Sequence, residues 1–200
     1  MTVRYVLLGC VVCLGVVFAV SAISKLRSRA SYAAFVASTR ELLPRAWPPA
    51  AHVALIVVVA EVVIVPLLFS APTAGLTVAA VLLLAFSGAI VLAVRRGVRT
   101  SCRCFGSSTK PLARMHALRS GVLAALAVTG AVLAGPVGAA NIITGLHPAG
   151  TATTVLAAGV FAALMIMFDD LVGLFAPTAT PAARASMPAA VGQRRTSEEI

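Results

Sequence analysis

Cys102 and Cys104, in Ser101-Cys102-Arg103-Cys104-Phe105-Gly106, are the residues best suited by type and setting to do chemistry. Arg95, Arg96, Arg99, Arg103 and Lys110 surround them, and nearby positive charge stabilises thiolate, the nucleophilic form of cysteine. Two cysteines one residue apart close a disulfide only in a tight, extended geometry, and such a bond is strained and easily reduced. The pair therefore suits a working disulfide more than a structural staple, and Gly106 lets the chain turn back sharply behind it. The plain alternative is a pair of ordinary thiols kept reduced by the cytosol. A metal site built from Cys102, Cys104 and His116 is a third reading; the spacing matches no familiar four-ligand zinc pattern and a fourth ligand is not evident, so no metal is expected.

Further candidates lie within apolar sequence. Glu61 is the one acidic residue well inside a long apolar run, about 18 Å along a helix from Pro49. A carboxylate at that depth is costly, so Glu61 is expected to face the interior of a bundle, either as a functional group or as a hydrogen-bonded packing group. Lys25 closes the first apolar run. It can reach out to lipid phosphate or turn inward toward an acid, and for an isolated lysine at a helix end the outward course is expected. Cys10 and Cys13 form a Cys-x-x-Cys inside the first run, where free cysteine behaves as a small hydrophobe, so core packing is expected of them. Asp169 and Asp170 are expected on the surface.

The elements that must carry these residues follow from composition. Of the 200 residues 60% are hydrophobic and 11% charged, and the mean hydropathy is +1.01, values outside the range of ordinary soluble domains. Apolar runs at about 3–24, 50–69, 73–94, 118–134 and 151–168 are each read as a membrane span; the fourth is the shortest. The expected fold is all-α, a polytopic membrane bundle of four core helices and a fifth, occupying residues 1–175 as one domain. Residues 176–200, rich in Pro, Ala, Thr, Arg and Glu, read as a disordered tail. A cleavable signal peptide is the alternative for the first run, but that run exceeds the usual length of roughly 7–15 residues and its charge follows it. Between the first two spans, residues 30–47 read as an amphipathic helix in the membrane interface, broken by Pro44, Pro48 and Pro49, with Trp47 as an interfacial anchor. The second and third spans, joined by Ser70-Ala71-Pro72-Thr73, are expected to pair as an antiparallel hairpin.

The formal charge of +10 is distributed in a way that excludes a nucleic-acid function: the basic residues cluster beside apolar runs with few aromatics among them. Segment 25–46 holds Lys25, Arg27, Arg29, Arg40 and Arg45, and segment 95–119 holds seven more basic residues, whereas 70–73 and 135–150 hold no Lys or Arg. The positive-inside rule then puts the N-terminus outside and both the cysteine segment and the C-terminus in the cytoplasm. Anionic lipid is a natural partner for those basic segments.

Phe18 through Ser24-Lys25-Leu26 closing the first helix, Glu61 in the second span, Arg96-Gly97 after the third, and Cys102-x-Cys104-Phe105-Gly106 together resemble the methylamine utilisation protein MauE family. That family is distantly related to DoxX-like membrane proteins, and the resemblance covers about residues 1–135. It implies a four-helix membrane core, here extended by a fifth helix, and a role in maturation, processing or export of a partner protein. In the namesake setting that partner is the disulfide-rich small subunit of methylamine dehydrogenase; nothing in this chain names a client.

The leading expectation is a membrane maturation factor that exchanges thiols and disulfides through Cys102 and Cys104, coupled to a quinone or to cytosolic thiols, with no resident cofactor specified by the sequence. Glu61, Lys25, Phe105 and Gly106 are the candidate binding residues. If the chain is an enzyme it is a membrane thiol–disulfide oxidoreductase. The alternatives are a noncatalytic scaffold that docks a partner or anionic lipid, and a small transporter with Glu61 as its site, the latter lacking an internal repeat.

Overall fold

Hydrocarbon offers no hydrogen bonds, so a chain segment crossing it satisfies its backbone only as a helix or in a closed barrel. The computed structural model describes residues 2–43, 48–95, 113–137 and 145–175, and these form helices with no strand among them. The helices are α1 (Thr2–Leu26), α2 (Arg29–Leu42), α3 (Ala50–Ser70), α4 (Pro72–Arg95), α5 (Ala113–Val137) and α6 (Pro148–Phe175). All but α2 are long and apolar enough to span a membrane, and the chain is an all-α polytopic bundle, as expected. Cys102, Cys104, Phe105, Gly106 and Trp47, together with the expected tail 176–200, lie outside the described residues.

Helix α1 is the hub. Its apolar window is 61% buried, against 11% for α6, and it supplies more of the main core than any other helix, including Leu7, Leu14 and Phe18. Helix α3 lies antiparallel beside it: Gly15 sits against Phe69 and Leu68, while ten residues further along α1, Lys25 meets Glu61. Cys10 lies beside Gly130 of α5, with Leu76 of α4 on the same glycine. The start of α1, the start of α4 and the end of α5 therefore share one end of the bundle, and Lys25, Arg95 and Ala113 belong to the other.

The α3–α4 hairpin is tighter than an ordinary loop. A single residue, Ala71, separates the helices; its N–H bonds the Leu67 carbonyl at 2.8 Å, and Pro72 opens α4, where its missing N–H is no loss. Gly75 is required by this closeness, because a Cβ there would stand 2.7 Å from the backbone nitrogen of Leu68. Helix α6 packs along α1 in parallel through the small residues Gly150, Thr154, Ala158 and Ala162, which recur every fourth position. Such stripes let membrane helices approach closely. At its start the His147 N–H donates to the Tyr5 hydroxyl at 3.1 Å.

The fourth span is the shortest, as expected, Leu118–Pro136, but it belongs to a longer helix: α5 has 25 residues because it begins at Ala113, before the apolar run, and carries Arg119 in with it, 5% exposed. The amphipathic helix is shorter than 30–47, running Arg29–Leu42. Ser28 caps its start by accepting from the Ser31 N–H at 3.0 Å, and Leu43 is extended at φ −80, ψ 141, as a residue before proline must be. Part of its apolar face is turned inward. Phe35 is buried against Ala54 and Val58 of α3, so α2 covers the first half of α3 and takes over where α1 ends.

Candidate functional site

Along α3 the buried residues are Ala54, Val58, Glu61, Ile64 and Leu68, one helical stripe with a single polar member. Along α1 the corresponding stripe ends in Ser21 and Lys25, one turn apart. Packing two such stripes forces their polar residues together, since each would otherwise face apolar side chains or lipid. Lys25 Nζ forms an ion pair with Glu61 Oε1 and donates to Ser21 Oγ at 2.9 Å. Ser21 Oγ in turn donates to the same Glu61 oxygen at 3.0 Å. Lys25 is 2% and Glu61 3% exposed. Lys25 Nζ also stands 4.6 Å from the centroid of the Phe35 ring, within the range of a cation–π contact.

The outward-reaching expectation for Lys25 is thus overturned, for a physical reason. Glu61 lies about 16 Å beyond Ala50 in α3, and α1 ends at that depth with α2 lying beyond it. The lysine finds no phosphate within reach along its own helix. It finds a carboxylate instead, and the triad of lysine, serine and glutamate neutralises itself inside the bundle. Glu61 Oε2 is buried and without a hydrogen-bond partner among the described residues. That oxygen is free to accept one further donor, and the node ties α1 to α3, with the Phe35 ring of α2 against it.

The remaining candidates are distributed as follows. Cys10 and Cys13 are free and buried, near the middle of α1 and roughly 18–22 Å of helix rise from Lys25; they pack in the core, as expected. The side chains of His116, Asp169 and Asp170 lie outside the described residues, and among those described no three His, Cys, Asp or Glu side chains gather as a metal site. Cys102 and Cys104 belong to the connection between Arg95 and Ala113, whose flanking helices end and begin at the Lys25 end of the bundle.

The family model for the methylamine utilisation protein MauE matches residues 3–133. The chain belongs to the MauE family. The match takes in Lys25, Glu61 and the Cys102–Gly106 motif, and stops before α6, so the fifth spanning helix is an addition to the MauE-matched part. No curated protein and no solved structure matches the chain. The protein is accordingly a multi-pass membrane protein of a methylamine utilisation family.

Ser21 and Phe35, which complete the node, and the buried polar residues Ser38, Thr39 and Arg119 were not marked as site residues by the sequence. Ser21 had a usable signal, its position four residues before Lys25 on the same helical face. Phe35 had none, because its role depends on how α2 folds back.

Proposed function

We propose that this MauE-family protein is a membrane factor for the maturation of a partner protein, working by thiol–disulfide exchange at Cys102 and Cys104. The observation that carries the reading is the arrangement of the bundle: α4 ends and α5 begins, on either side of the cysteine segment, in the same half of the bundle as the buried Lys25–Ser21–Glu61 node that fixes α1 against α3. A buried, self-neutralised node is a rigid platform, and rigid elements are what position reactive groups carried on loops.

In the exchange, one cysteine thiolate attacks a disulfide of the client and forms a mixed disulfide, releasing one client thiolate. The second cysteine displaces the other client sulfur, leaving a Cys102–Cys104 disulfide and a client dithiol. The reverse sequence oxidises the client. Described basic residues at this end of the bundle, among them Arg27, Arg29, Arg40 and Arg95, support a cytoplasmic position for the cysteines. In that compartment, supplying reductant to a client or sensing redox state is favoured over oxidising an exported one.

The test is thiol trapping in growing cells. Wild type should show a mixture of reduced and oxidised Cys102/Cys104 and, with Cys104→Ser, a trapped mixed disulfide that runs at the summed mass of this chain and its client. If Cys102→Ser and Cys104→Ser leave both the trapping pattern and client maturation unchanged, the noncatalytic scaffold reading replaces this one.

A further inference from the structure

A cavity of about 390 Å³ lies between α2, α3 and α4, at the Lys25 end of the bundle. Its walls include Phe35 and Leu42 from α2, Val57 from α3, and Phe86 and Leu92 from α4. Phe35 is shared: the same side chain lies beneath the Lys25 ammonium. Ser38 and Thr39 are the polar side chains on the wall, and both donate to carbonyls of their own helix, Ser38 to Ala34 at 3.1 Å and Thr39 to Phe35 at 2.9 Å. With those hydroxyl protons committed, the wall offers an apolar guest a nearly uniform alkyl and aromatic surface, and offers water little to hold it.

Volume narrows the guest further. The cavity's 390 Å³ is more than twice the roughly 150 Å³ that accommodates a benzene in an engineered apolar cavity. A partner helix about 10 Å across would fill it with about one turn, too little to dock. A flexible hydrocarbon chain fits both the size and the surface, and the membrane supplies it at high local concentration. The charge beside the cavity selects among lipids. Arg40 is exposed one residue past Thr39 of the wall, and Arg27 and Arg29 are exposed at the other end of α2, against the single acid Glu41.

We infer that this cavity is a binding site for one acyl chain of an anionic membrane phospholipid, whose phosphate is met by Arg40. The site is independent of thiol chemistry at Cys102 and Cys104. It makes α2 a lipid-dependent element: the guest fills the space between α2 and the α3–α4 hairpin, next to the ring that roofs the Lys25–Glu61 pair.

Gly88 supplies the test. It lines the cavity, and a Cβ added there meets nothing within 4 Å, so the side chain of Gly88→Leu starts in open space at the cavity wall and competes with the guest for that space. The purified full chain is placed in phosphatidylcholine nanodiscs containing a small fraction of phosphatidylglycerol that carries a mid-chain diazirine, irradiated, and mapped by peptide mass spectrometry. Label is expected on the stretches around Val57 and Phe86, saturably competed by unlabelled phosphatidylglycerol but not by phosphatidylcholine. Gly88→Leu should lower it by about fivefold or more while label on the exposed Leu156 and Val160 face of α6 is unchanged, the latter serving as the control for a folded bundle. Arg40→Gln should keep the label and lose the preference for the anionic lipid. The inference is overturned if wild-type label at Val57 and Phe86 is no more competable than label on α6, if Gly88→Leu leaves it in place, or if a quinone extracted from the purified protein proves to be the occupant that Gly88→Leu removes. Should Gly88→Leu not fold, the wild-type competition alone decides.

Discussion

Lys25 and Glu61, 36 residues apart in sequence, form an ion pair through Glu61 Oε1 at mid-depth of α3, an oxygen to which Ser21 also donates, with the Phe35 ring against the lysine ammonium. Removing one partner strands the other charge in a buried site, a loss of about 3–5 kcal/mol for a buried pair. Removing both leaves no buried charge unpaired. Glu61→Leu is therefore expected to destabilise the bundle by several kcal/mol, whereas Lys25→Met combined with Glu61→Leu should return stability to within about 1–2 kcal/mol of wild type. Thermal unfolding in a mild detergent measures both; a double variant as unstable as the single one would mean that the pair is not the reason for the cost.

Ser21 and Phe35 modulate that pair by different physics. Ser21→Ala deletes a hydroxyl that both accepts from Lys25 and donates to Glu61, and hydrogen bonds to charged groups contribute about 1.5–3 kcal/mol each. Phe35→Leu keeps an apolar side chain but loses the ring face under Lys25 Nζ, worth up to about 2 kcal/mol when desolvated. Both single variants should be less stable than wild type. In the Lys25→Met, Glu61→Leu background most of the Ser21→Ala penalty should vanish, because its charged partners are gone; an undiminished penalty would contradict the coupling.

Gly75 tests the α3–α4 hairpin. The Cβ introduced by Gly75→Ala has the Leu68 nitrogen at 2.7 Å, Leu68 Cα at 2.8 Å and the Leu67 carbonyl carbon at 2.9 Å. All three are backbone atoms, so no rotamer change relieves the contact. The helices must part, and a loss of about 1–3 kcal/mol is expected from overpacking alone. Gly88→Ala, on the same helix with open space around it, should instead match or exceed wild-type stability, since alanine favours helix over glycine by about 1 kcal/mol. The comparison separates helix propensity from close packing within one element.

These tests bear on how much the sequence discloses. Long apolar runs in the sequence correspond to five helices long and apolar enough to cross a membrane, because length and hydropathy are properties of the run itself. The inward face of α3 is a harder matter. Its lipid-facing residues, such as Leu55, Ile56, Val59 and Val63, are as apolar as its buried ones, so periodicity is silent and Glu61 alone marks the face. The partner of Glu61 was legible only as the less expected course of Lys25, inward toward an acid. Lys25 looks like an ordinary helix-end lysine until the break at Arg27–Ser28 and the return of α2 across α3 take away its route to phosphate. That return is a tertiary fact, visible in the burial of Phe35 and not in its identity.

Orientation and cysteine accessibility can be read in one experiment on intact cells. Cys10 and Cys13 are 3% and 2% exposed and packed in the core of α1, so a membrane-impermeant maleimide should leave them unmodified until the protein is denatured, whichever way the bundle is inserted. Cys102 and Cys104 lie between helices that end and begin at the basic end of the bundle, and the positive-inside rule expects that end in the cytoplasm. Label should therefore reach them only after the membrane is opened, and Cys102→Ser with Cys104→Ser should abolish it. Prompt labelling of those two cysteines in unopened cells would invert the orientation. It would also move the exchange chemistry to the oxidising side, where disulfides persist and forming them in a client becomes the favoured direction.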